Sequence, residues 1–163
     1  MEEIKALLTE LENKIPNQEI LNPLVSKSCV GWHIEHSLLV IDEVIRELAS
    51  SNPKNYTWNF NIYKYFIFII NKIPRGRKKS PSSVHPLINY DKTSLHLHVL
   101  NTKKHCEELN NIKADQFFQH PHLGKLNLKS SIKFLELHTE HHLKIIDDIL
   151  LKNKMKICSE DLL

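Results

Sequence analysis

The sequence predicts an all-α protein: a four-helix bundle with a short extra helix or long loop, in one domain spanning 1–163. Three observations carry this. Apolar residues recur at helical spacing in four long segments. Glycine occurs only three times, which argues against a loop-rich or all-β chain, and 163 residues is the size of one ordinary core.

From Glu2 to Ile15, the residues Ile4, Leu7, Leu8, Leu11 and Ile15 follow one helix face, and Pro16 closes the run. Beyond the turn-prone Asn22-Pro23, Ser26 or Ser28 supplies the cap of a second helix reaching to about Ser50. Its stripe is Val30, Ile34, Leu38, Ile41, Ile45 and Leu48, and Ser51-Asn52-Pro53 ends it. The stretch Asn61 to Lys72 fits a buried strand or a buried helix by periodicity; its length and the lack of a partner strand favour the helix. Its aromatics Tyr63, Tyr65, Phe66 and Phe68 then read as core or dimer contacts before they read as a substrate wall. Pro74 to Asp91, with the basic run Arg75-Gly76-Arg77-Lys78-Lys79, reads as a long loop. Thr93 caps a fourth helix with Leu95, Val99, Thr102, Cys106 and Leu109 on one side, and Phe117 to Gly124 forms a compact linker. The final helix begins near Leu128, with Phe134, His138, His142, Ile145 and Ile149 on one face and Glu136, Glu140 and Asp147 opposite.

Composition excludes several function classes. Twenty-two Lys plus Arg against nineteen Asp plus Glu leave a charge of +3, too small to imply a polyanionic partner. The basic run lacks an aromatic platform or a recognition helix, so nucleic acid is not the expected partner. The longest apolar runs, such as Phe66 to Ile70, fall far below the roughly 18 residues of a membrane helix, and Met1-Glu2-Glu3 is acidic where a secretory leader is basic. A cytoplasmic protein with no membrane association is expected. Cys29, Cys106 and Cys158 are widely spaced and include no CxxC pair, so reduced thiols are expected.

Eleven histidines leave imidazole as the abundant reactive group. His138 and His142 are one helical turn apart, so their rings point the same way, about 5–6 Å apart at Cβ, as two ligands of one ion require. Both sit inside the apolar stripe, where an unpaired imidazole is costly to desolvate. Two histidines do not close a metal site. A third ligand from the second helix is His36, within Gly31-Trp32-His33-Ile34-Glu35-His36, or alternatively His33, and periodicity does not choose between them. The plain alternative is a surface cluster plus one satisfied core imidazole.

The segments Val30 to Ile41 and Phe134 to Ile149 resemble the ligand helices of the DinB-like bundle family, in particular its branch of uncharacterised bacterial proteins. The linker Phe118 to Gly124 and the loop Ile73-Pro74-Arg75-Gly76 resemble the same branch, so the likeness extends over most of the chain. This resemblance implies four long helices in up-down-down-up order, with the metal held by His36, His138 and His142. One departure is Ile145, where many relatives carry glutamine three residues after the second ligand of the pair.

Three neutral imidazoles leave positions open for water or substrate, the pattern of a catalytic rather than a structural site. Such an ion, whether Zn, Ni, Mn or Fe, lowers the pKa of bound water towards about 7 or holds a thiolate. The resemblance points the same way, to a metal-dependent thiol S-transferase or a hydrolase acting on a small molecule such as a low-molecular-weight thiol. A general base at that end would come from His33, His141, Glu35 or His120. A homodimer is a compatible assembly. The competing reading is a non-catalytic, metal-stabilised, stress-associated binding bundle.

Overall fold

The computed structural model describes residues 2–58, 60–75, 84–86 and 91–160, with side chains as far as 154. It is mostly helical. In order come α1 (Glu2–Lys14), α2 (Val30–Ser50), α3 (Ile62–Ile70), α4 (Lys92–Glu108), the strands β1 (Phe117–His120) and β2 (Gly124–Asn127), and α5 (Leu128–Glu160).

Helices α1, α2, α4 and α5 share one hydrophobic core, because the apolar stripes read from the sequence are buried: Ile4, Leu8 and Leu11; Ile34, Leu38 and Ile41; Leu95 and Val99; Phe134, Ile145 and Ile149. Helix α2 is the central member, packed against both α4 and α5, and α1 packs against the same two. Polar ties link the helices outside the core. Glu35 and Asp42 of α2 meet the two ring nitrogens of His98 at 2.9 and 2.8 Å, and Asp42 also meets His105 at 3.0 Å. Lys5 and Glu12 of α1 pair with Glu107 and Lys103 of α4, and Lys14 pairs with Asp147 of α5.

Four expectations change. The linker after α4 is an antiparallel hairpin, with Phe117 opposite Asn127 and His120 opposite Gly124. Gly124 takes φ 74°, the left-handed conformation that closes a three-residue hairpin loop without a Cβ penalty. Helix α3 forms as expected but is not buried: Ile62, Tyr63, Tyr65, Phe66 and Ile69 lie exposed, and of its aromatics Phe68 packs, partly buried, against the core. Asp91, not Thr93, caps α4, in a reciprocal capping box with Ser94. Neither Ser26 nor Ser28 caps α2; the N-cap is Cys29, without a side-chain bond. Cys106 is a buried thiol. Among the described residues no helix is long and apolar enough to cross a membrane. Gly76 to Lys79 of the basic run, and the Cys158 side chain, fall outside the described residues.

His98 gives the fold a pH signature. Burial opposes its charge, but hydrogen bonds to Asp42 and Glu35 prevail and raise its pKa from 6.5 to about 9. The folded state therefore holds this proton more tightly than the unfolded chain does. Its contribution is complete below about pH 6.5 and is lost as pH rises through about 9. The melting-temperature gap between wild type and His98→Gln should accordingly shrink over that window. A gap that stays flat from pH 6 to 9.5 contradicts this.

Candidate metal centre

The centre is built on α2 and α5, the most extensively packed helix pair. Helical spacing stacks His138 over His142, with ring centroids 4.6 Å apart. His36 of α2 faces both, at 5.2 Å from His138 and 4.8 Å from His142. One ring nitrogen from each of the three lies within 4.8 Å of the others, a grouping that could hold a metal ion. It is the only such group of three among the described residues. A tetrahedral ion with nitrogens at about 2.0–2.1 Å spaces its ligands about 3.3 Å apart, so small side-chain rotations bring these rings to bonding distance.

Each ring is held differently. His36 donates its Nδ1–H to the Val84 carbonyl at 2.7 Å, which fixes the tautomer and leaves Nε2 with its lone pair. Trp32 stacks on the same ring at 4.8 Å and 18°. His142 Nδ1 lies 3.0 Å from Nδ1 of His33, whose Nε2 lies 2.9 Å from Ser26 Oγ. With His142 ligating through Nε2, its Nδ1–H donates to His33, and His33 donates in turn to Ser26. Phe134 packs beside His138 at 5.5 Å, and the Nδ1 of His138 is buried with no hydrogen-bond partner. A buried nitrogen without a partner costs free energy that a cation would recover, so the donor set fits a metal.

The surroundings keep these rings neutral, as ligands must be. Burial, then the nearby charges of other histidines, pushes His138 and His142 well below the ordinary range. Burial likewise lowers His36 against the opposing pull of the Val84 carbonyl, and lowers His33 to about 4.

The other expected residues divide. His33 is buried and touches His142 from behind rather than joining the group of three. His141 bonds to the Ile73 backbone and lines the cleft beside the triad. His120 lines the same cleft, its ring edge against Phe134 at 4.7 Å and its Nδ1 accepting from the amides of His122 and Leu123. Glu35 is elsewhere. Successive helix residues point about 100° apart, so its carboxylate faces α4 and is taken by His98.

The triad lies in a cleft of about 600 Å³ that runs between α2, α3, the hairpin and α5. Sequence reasoning missed three of its parts. Val84 sits in a segment read as loop, and the hydroxyl of Ser26, read as a helix cap, supports His33 instead. Glu43 and Glu47, one and two turns beyond Val40, bring carboxylates to the cleft wall, and their i+7 and i+11 spacing from His36 was the available signal.

No protein-family model, characterised protein or solved structure matches this chain.

Removing the two kinds of ring should separate them. In chelator, His138→Leu deletes an unpaired buried nitrogen and should leave unfolding free energy unchanged or raise it by up to about 2 kcal/mol. His36→Leu strands the Val84 carbonyl and should cost about 1–3 kcal/mol. Denaturant titrations showing His138→Leu as the more damaging change would contradict this assignment.

Proposed function

We propose that this chain is a DinB-like metal-binding bundle, in which His36, His138 and His142 hold a divalent ion, Zn, Ni, Mn or Fe, for thiol S-transfer or hydrolysis of a small molecule. The observation that carries the reading is the convergence of three imidazoles from two helices, those of His36 and His142 buried and that of His138 half-buried but bearing a buried ring nitrogen with no other partner. The helix order is up-down-down-up. It is supported by the antiparallel pairing of Lys5 with Glu107 and Glu12 with Lys103, and by the parallel pairing of Glu35 with His98 and Asp42 with His105.

A divalent ion at such a centre supplies Lewis acidity and a water- or thiol-derived nucleophile at neutral pH. The chain's own residues supply the rest. The Val84 carbonyl and the His33–Ser26 pair orient two of the ligands. Trp32, Phe118 and Phe134 exclude water from the cleft side of the triad. With Glu35 engaged by His98, and with His120 accepting two amides at Nδ1 and so carrying its proton on Nε2, the base is assigned to His141, which lines the cleft beside the triad. That diversion of Glu35 also favours the second reading, a metal-stabilised, stress-associated binding bundle without turnover, since no carboxylate adjoins the ligands along α2.

Tag-free protein from rich medium should contain one equivalent of a transition metal by elemental analysis. His138→Ala, His142→Ala and His36→Ala should each lose it. His33→Ala, which removes only an orienting partner, should retain the site with affinity lowered about 10–100-fold. Full occupancy in His138→Ala would defeat the proposal. Turnover of thiol or ester substrates by the loaded protein separates the enzyme from the binding bundle.

A further inference from the structure

Beyond the three imidazoles, the cleft has a composition of its own. Along α2 its wall is Val40 and Val44, opposite stand Tyr63 and Phe66 of α3, and Phe118 and Phe134 close the side. Tyr63 and Phe66 are 61% and 55% exposed although they face into a concavity, so large apolar surface is left open to whatever enters. The volume of about 600 Å³ lies within the range of small-molecule sites, roughly 300–1,000 Å³, and is too small for a folded partner. From His36 to Val44 the cleft follows α2 for eight residues, about 12 Å at 1.5 Å per residue. Charge narrows the class further. The described lining includes the carboxylates of Glu43, which Arg46 pairs at 2.6 Å, and Glu47, and no lysine or arginine, so Glu47 is the carboxylate that opposes an anionic tail there.

We infer that the cleft takes an elongated, predominantly apolar small molecule without an anionic tail, its electron-donating head at the histidine triad and its body along Val40, Val44, Tyr63 and Phe66. The position of the head rests on the proposed metal function; binding of the body does not.

The test uses n-alkyl hydroxamates of two to eight carbons on zinc-loaded protein, and n-alkanols of the same lengths on metal-free protein. Trp32 in the cleft reports binding by fluorescence once the exposed Trp58 is replaced in Trp58→Phe. Each added methylene should tighten both series about fourfold until the cleft is filled. Phe66→Ala should weaken the octyl hydroxamate at least tenfold and leave the two-carbon member within about twofold. An ω-carboxyl on the octyl chain should weaken it at least tenfold. Zinc binding with affinities indifferent to chain length, or a carboxylate tail bound as tightly as a methyl one, would overturn the inference. A fourfold alkanol increment in a protein that binds no zinc would uphold the apolar cleft and overturn the metal reading instead.

Discussion

The cost of burying imidazole governs this structure. Each of His33, His36 and His142 is almost wholly enclosed, and an enclosed ring with unmet polar atoms sacrifices about 1–3 kcal/mol. The chain meets that cost with specific partners: a carbonyl from the segment before α4 for His36, and a second histidine backed by a serine for His142. The remaining deficit is the Nδ1 of His138, in one of the three converging rings. The three converging rings form a group that could hold a metal ion.

Helix α2 makes this arrangement possible by serving two neighbours with two kinds of chemistry. Its residues 33 and 36 turn neutral imidazoles towards α5, and its residues 35 and 42 turn carboxylates towards the charged His98 of α4. The same residue type is thus driven in opposite directions within one bundle. His33 is pushed down to about 4 by burial among other histidines, while His98 is drawn up to about 9 by two carboxylates. Segregating these faces keeps acidic groups away from the triad, and the carboxylates that do reach the cleft enter one or more turns further along α2.

Much of the bundle was legible because burial on a helix is periodic. Leu95, Val99, Thr102 and Cys106, read as one side of α4, are all buried. The pair His138 and His142 was legible for the same reason, since four residues make one turn. Choosing His36 over His33 was not, because both lie near the core stripe and only the approach of α5 decides which ring meets the triad and which stands behind it. Helix α3 shows the limit of periodicity: a helix apolar on all sides reads as buried, yet nothing within a segment reveals whether the rest of the chain covers it. The hairpin escaped notice because its strands are four residues long, below the span over which alternation separates from chance, with Gly124 its one distinct signal. The engagement of Glu35 by His98 was not legible, because it depends on how α4 packs against α2.

The most direct measurement of the central claim is X-ray absorption at the edge of the metal bound by the tag-free protein. The account predicts a first shell containing three imidazole nitrogens at about 2.0–2.1 Å, with the multiple-scattering pattern of histidine rings. A shell with sulfur ligands, or with fewer than two imidazoles, would show that the three rings do not share an ion.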